Sequence, residues 1–127
     1  MTSRINLIAA VGANWKVGLD GALPWQRPAD LAWFKRQTMG GIVIVGARTW
    51  RAMPDLPGRE VFPFDGKISP EVMIRSVRLW DRPIWIAGGP FTWRAFAPLV
   101  DGLRLISVID YDGPADTYFP ADAYGLP

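Results

Sequence analysis

Asp30 is the one acid between Leu23 and Gly41, and it stands among Leu31, Trp33 and Phe34. The spacing puts Asp30, Leu31, Phe34 and Thr38 on one side of a helix, with Lys35 and Arg36 pointing elsewhere. A carboxylate at a helix start ordinarily satisfies the free N–H groups of the first turn and complements the dipole, and spacing alone favours that plain reading. The sharper reading is an acid in an apolar cleft, able to bind donors or relay a proton. Without a carboxylate partner nearby, paired-acid chemistry of the glycosidase kind is unsupported. Trp25, in the loop just before, is placed to close over a flat ligand or to hold a water beside the acid. Arg59, after the Pro57-Gly58 turn, reads equally well as a solvated arginine or as a bidentate clamp for a carboxylate.

A second kind of chemistry lies in two turns, Val45-Gly46-Ala47-Arg48-Thr49 and Ala87-Gly88-Gly89-Pro90-Phe91-Thr92. Each puts glycine between an apolar run and a helix start, where backbone N–H groups can approach a phosphate. In a parallel sheet both turns open on the same edge, so one extended ligand with two phosphate groups could touch both. Each turn alone is a weak signal. Neither is GxGxxG nor a GxxxxGK[ST] loop, so neither dinucleotide fingerprint nor ATPase loop is present.

Composition narrows what else is possible. There are no cysteines and no histidines among 127 residues, which removes thiolate nucleophiles, cysteine zinc clusters, imidazole sites and the Ser-His-Asp triad. No metal site is therefore expected. A net charge of +2 is too small for an electrostatic nucleic-acid binder without a local cluster. The longest apolar runs, such as Ile42–Val45, fall far short of the roughly 20 residues that span a bilayer. The expectation is one domain over residues 1–127, cytoplasmic, without nucleic-acid or membrane partners.

The elements that must position these residues follow from 13 glycines and 12 prolines that punctuate the apolar runs. Ile5–Val11, Ile42–Val45 and Ile84–Ala87 predict buried strands, and Leu103–Ile109 another; Thr117–Phe119 adds a short last one. Glu60–Phe64 predicts a weaker strand because of Pro63. Helices are predicted from Pro28, around Arg48–Met53, over Pro70–Trp80 with Met73, Val77 and Trp80 on one face, and from the second glycine turn through Phe96. Gly12–Arg27 has no period and predicts a long, functional loop. The alternation argues an α/β fold with a largely parallel sheet.

The blocks Gly18-Leu19-Asp20-Gly21-Ala22-Leu23-Pro24-Trp25 and Pro28-Ala29-Asp30-Leu31-Ala32-Trp33-Phe34-Lys35 resemble dihydrofolate reductases. So do Gly46–Trp50, Leu56–Arg59, Ile86–Gly89 and Asp116–Pro120, in the family's order over most of the chain. The resemblance implies that fold, a mostly parallel central sheet flanked by helices. It also implies reduction of 7,8-dihydrofolate to tetrahydrofolate by hydride transfer from NADPH, as in one-carbon metabolism and as an antifolate target. By resemblance, Asp30 would bind the pteridine edge and promote protonation at N5, with Trp25 holding a water near it. Ile8 and Ile86 would offer carbonyls to the pteridine, and Ala10 would line the cleft for both ligands. Leu31, Phe34 and Met53 would sandwich the ring and benzoyl group, and Arg59 would clamp the glutamate. Thr49 would bridge the two ligands. Gly46, Arg48, Thr49, Gly88 and Gly89 would cradle the cofactor's phosphates, while Gly18, Leu19 and Asp20 in the Gly12–Leu23 loop would close over the nicotinamide.

Some positions depart from the family pattern. Ala47 stands where an arginine usually meets the 2′-phosphate, and Asp65 would repel one, a repulsion that Lys67, Arg75 or Arg78 could compensate. The stretch from Arg59 to Gly88 is short, so an adenine-side element is expected to be trimmed. The final antiparallel hairpin is expected to be missing, exposing a sheet edge to a homo-oligomeric contact. These departures keep open a weakly active or inactive folate- or nucleotide-binding scaffold. A reductase of another pterin-like substrate is a third reading, which the Arg59 clamp disfavours.

Overall fold

Runs in which nearly every side chain is apolar can be satisfied only between two layers, and this is where the chain puts them. The computed structural model describes residues 3–25 and 28–127. Its strands are β1 (Ile5–Val11), β2 (Lys16–Gly18), β3 (Ile42–Gly46), β4 (Glu60–Phe64), β5 (Ile84–Ile86), β6 (Arg104–Val108) and β7 (Thr117–Tyr118). Its α-helices are α1 (Pro28–Thr38), α2 (Ala47–Ala52), α3 (Pro70–Val77) and α4 (Pro90–Phe96). Five strands form one sheet in the order β4-β3-β5-β1-β6, and every pairing is parallel. Leu7, Ile42, Ile44, Ile84, Ile86 and Phe96 are completely enclosed in its core.

Local sequence explains the edges and ends. β4 pairs only with β3, so Pro63, which lacks an N–H, is tolerated in it. α3 starts where Ser69 Oγ accepts from the Val72 N–H at 3.2 Å, with Pro70 in its first turn, and it buries Met73, Ile74 and Val77. The predicted helix over Pro70–Trp80 stops at Val77: Arg78–Trp80 tightens into a 3₁₀ turn and Asp81 turns left-handed at φ 52°. Trp80 therefore leaves the buried face, packing edge-on to Phe62 at 6.0 Å and under Arg82 at 5.5 Å.

The loop predicted over Gly12–Arg27 is more ordered than a plain connection, although its last two residues lie outside the described ones. β2 pairs antiparallel with β7, giving a small second sheet. Further ties run from Ala13 N to Tyr111 O at 2.7 Å, Phe119 N to Trp15 O at 2.8 Å and Asp116 N to Gly18 O at 2.9 Å. A three-residue strand is too short to show a period, which is why the sequence reads as irregular there. From β4 the chain reaches β5 through α3 and the turn after it, and β4 stands at the sheet edge among the described residues. Among the described residues β6 forms the other edge, where Val108 is 76 % exposed.

One buried polar side chain fixes three elements. Asn6 donates from Nδ2 to the Ile84 carbonyl at 3.2 Å, and its Oδ1 accepts the Leu103 N–H at 2.8 Å. It therefore registers β1 against β5 and against the chain entering β6. Asn6→Ala should lower unfolding free energy by about 1–3 kcal/mol, because it strands a carbonyl and an N–H. Denaturant unfolding would show this as a lower midpoint with an unchanged slope.

Candidate active site

Parallel strands deliver all their C-terminal ends to one rim, and a cleft of about 440 Å³ opens there. Gly46, at the end of β3, lines it with Ala47, Arg48 and Thr49 of the first turn of α2, and Gly89 lines it with Pro90, Phe91 and Thr92 of the first turn of α4. The turns are joined directly, since the Gly46 N–H donates to the Gly88 carbonyl at 2.7 Å. Both glycine positions are close approaches. A Cβ on Gly46 would stand 2.9 Å from Thr92 Oγ1, and one on Gly88, at φ +114°, would stand 3.0 Å from the Trp93 ring. At Gly89, by contrast, a Cβ would meet only Thr49 Oγ1, at 3.8 Å, so this residue is open to the cleft. Thr92 is 1 % exposed and its hydroxyl has no protein partner. Such an orphan on a cleft wall is a group that a polar ligand satisfies. Arg48 and Arg51, on the same wall, form no ion pair among the described residues.

The other expected site residues are arranged along α1. Asp30 sits in its first turn, and its Oδ2 is buried without a partner among the described residues. Trp25 is 7 % exposed and packs on Tyr111 at 5.5 Å, and its Nε1 is likewise buried without a partner among the described residues. Leu31 is 70 % exposed, although it is a large apolar residue, and Phe34 is half-buried. At the other end Thr38 Oγ1 donates to the Phe34 carbonyl at 2.7 Å and accepts from Arg59 at 3.4 Å. Arg59 also donates Nε and one Nη to the Pro57 carbonyl at 3.3 and 3.2 Å. Partial burial lowers the pKa of this guanidinium, and no carboxylate answers it among the described residues. Eight residues of helix separate Asp30 from Thr38, about 12 Å at 1.5 Å per residue. α1 is thus a ruler with an acid at one end, an unanswered cation at the other and apolar side chains between.

Other expected site residues fall as follows. Ile8 is buried, and its carbonyl accepts the Trp93 Nε1–H at 3.2 Å, which leaves one lone pair. Ala10 and Met53 are half-buried, while Ile86 is enclosed between Ile44 and Leu7, so any part it plays runs through its backbone. Gly18, Leu19 and Asp20 are drawn toward β7 and its approach. Leu19 exchanges backbone bonds with Ala22, and the Asp20 N–H donates to Asp116 Oδ2 at 3.1 Å. That bond, with one from the Thr117 hydroxyl, pulls the Asp116 pKa down. Of the expected residues, Gly46, Arg48, Thr49 and Gly89 share the cleft; Gly88 does not line it and is tied to it through the bond to Gly46. Residues along α1 do not line that cleft. Sequence reasoning missed Thr92, Trp93 and Tyr111. Thr92 stands inside the quoted turn, so its signal was position; Trp93 and Tyr111 carry none without the tertiary fold.

The sequence model of the dihydrofolate reductase family matches residues 4–62. The dihydrofolate reductase of Haemophilus influenzae is 35 % identical over 127 aligned residues, which cover 91 % of this chain and 78 % of that protein. The corresponding protein of Neisseria meningitidis is 32 % identical, covering 93 % and 80 %. A solved structure of dihydrofolate reductase from Enterococcus faecalis, complexed with NADP(H) and RAB-propyl, is similar with a TM-score of 0.78 at 25 % identity. That likeness covers 94 % of this chain and 80 % of the other.

The closeness of the two turns can be tested without any ligand. Gly46→Ala should cost about 1–2 kcal/mol, since the added methyl meets a buried hydroxyl in a packed region. Gly46→Ala combined with Thr92→Ala should recover most of that loss in denaturant midpoints, because the conflicting oxygen is removed.

Proposed function

The chain belongs to the dihydrofolate reductase family and is an NADPH-dependent oxidoreductase, and we propose that it reduces 7,8-dihydrofolate with Asp30 assisting protonation at N5. The observation that carries the residue assignment is the ruler along α1. Dihydrofolate has a pterin head rich in N–H donors and an anionic glutamate tail, joined by a flat aromatic spacer. Asp30 and Arg59 offer the matching acceptor and cation, and Leu31 and Phe34 offer the apolar surface between them.

The cleft fits a nicotinamide dinucleotide. Gly89 leaves room at its wall, and among the described residues the Thr92 hydroxyl lacks a partner and Arg48 and Arg51 form no ion pair. Gly46, Arg48, Thr49, Gly88 and Gly89 would hold its phosphates, and Gly18, Leu19 and Asp20 would cover its nicotinamide end. When bound, the dihydronicotinamide supplies a hydride to C6 of the substrate's C6=N5 bond. The chain's own residues must then bring a proton to N5. Asp30 is the acid in reach of the pterin edge, and the orphaned Trp25 Nε1 is a donor able to fix a water beside it. Ile8 and Ile86 would orient the ring through their carbonyls, with Ala10, Thr49 and Met53 closing around it. No histidine, cysteine or metal enters, because the cofactor carries the redox step and the protein supplies position and one acid. A cytoplasmic location belongs to the same reading, since the reductant is drawn from the intracellular pool. So does self-association through the β6 edge, where Leu103 and Val108 are exposed.

Two variants separate the roles. Asp30→Asn should lower kcat by about 100-fold near neutral pH, a loss within the usual range for an acid–base residue, and by less in acid, where substrate arrives protonated. Loss of NADPH absorbance across a pH series checks this, and an unchanged rate removes Asp30 from the mechanism. Arg59→Ala should raise KM for dihydrofolate by roughly 10- to 100-fold with kcat within about threefold, because a remote clamp binds substrate and transition state alike. A pure kcat loss would contradict the clamp.

A further inference from the structure

Asp65 lies on the cleft wall and has no part in the hydride-transfer reading. It follows the last residue of β4, the parallel neighbour of β3, whose end makes the Gly46 turn. In dinucleotide sites, a carboxylate beyond the glycine-turn strand takes hydrogen bonds from the ribose hydroxyls, whereas an arginine nearby accommodates a 2′-phosphate. Here the carboxylate is present and Ala47 follows the turn glycine; the arginines of this cleft wall, Arg48 and Arg51, stand further along α2. Asp65 Oδ1 accepts the Lys67 N–H at 2.9 Å, which holds the side chain in place. Among the described residues its Oδ2 pairs with the Lys67 ammonium alone, at 3.9 Å and on a side chain 87 % exposed, a contact too weak and too wet to neutralise it. Phe91 lines the same cleft, 65 % exposed and stacked on Phe64 at 5.8 Å. Its ring edge comes within 3.4 Å of where a Cβ on Gly66, the residue after Asp65, would stand. An aromatic face and a carboxylate are therefore side by side, suited to a base and its ribose diol. A phosphate on that ribose would meet like charge instead.

We propose that Asp65, with Phe91 beside it, reads an unphosphorylated ribose, so that this chain takes NADH about as well as NADPH. The inference rests on the dinucleotide reading of the cleft given above. In it, Arg48 serves the pyrophosphate common to both nucleotides.

The test is a titration of the whole chain with NADH and with NADPH, followed by quenching of its tryptophan fluorescence, beside dihydrofolate turnover with each. The expected Kd values lie within about tenfold of one another, and Asp65→Asn shifts their ratio at least about fivefold toward NADPH at low salt. Arg48→Ala should weaken both nucleotides by the same factor. A wild-type preference for NADPH beyond about tenfold, a ratio unmoved by Asp65→Asn, or an Arg48→Ala that weakens NADPH alone would each overturn the proposal. Asp65 is exposed, so its substitution leaves the fold intact. The expected ratios without dihydrofolate turnover would uphold the inference and sink the substrate reading. Turnover with an unmoved ratio would do the reverse, and binding of neither nucleotide would overturn both.

Discussion

The register between β3 and β5 is the constraint on which the site depends. These strands pair through Ile42 with Ile84, Val43 with Trp85 and Ile44 with Ile86. The ladder then runs past the strand ends, through Ala87 N to Ile44 O at 2.9 Å and Gly46 N to Gly88 O at 2.7 Å. Two glycine turns far apart in sequence are thereby set one hydrogen bond apart. A slip of one residue would reverse every side chain on a strand that is buried on both faces, which the core does not permit. Hydrophobic packing thus fixes the geometry of the cleft, and one core ring, Phe64, reaches its wall.

Beside that rigid centre, α1 is a helix only partly claimed by the core. Thr38 is buried at one end of α1 and Leu31 is left in the open near the other. The helix is anchored by Thr38 and by the Arg59 contact, and Leu31, beside Asp30, is left uncovered. Trp93 ties β1 to the second glycine turn and to the C-terminal segment. Its indole donates to Ile8 in β1, its ring backs Gly88, and its carbonyl accepts the Tyr124 hydroxyl at 2.6 Å. Burial at that contact pushes the Tyr124 pKa up to about 12, so the bond persists across any physiological pH.

The parallel core was legible because Ile5–Val11, Ile42–Val45 and Ile84–Ile86 are short apolar runs stopped by glycine or alanine-glycine, and few other structures suit such runs. The two turns were legible for the same reason, since they are where those runs stop. Asp30 and Arg59 drew notice as charges in apolar or turn contexts, yet their relation as two ends of one helix needed Thr38 in place. What failed to show was either very short or wholly tertiary. β2 has three residues, Trp80 keeps helical spacing while the backbone departs from the helix, and the Thr92 hydroxyl becomes an orphan only once Gly46 comes to lie against it. Leu31 marks a further limit of pattern reading: periodicity identifies an apolar face without saying whether protein or ligand will cover it.

The pairing of β2 with β7 has a consequence for how the protein comes into being. Lys16 and Tyr118 are partners across about a hundred residues of chain, so closing that loop carries a heavy entropic cost and waits on the sheet between them. During synthesis the segment Lys16–Asp20 emerges early, but its pairing with β7 waits until Asp116–Phe119 has left the ribosome. This small second sheet is thus among the last parts to settle, after the central sheet has formed.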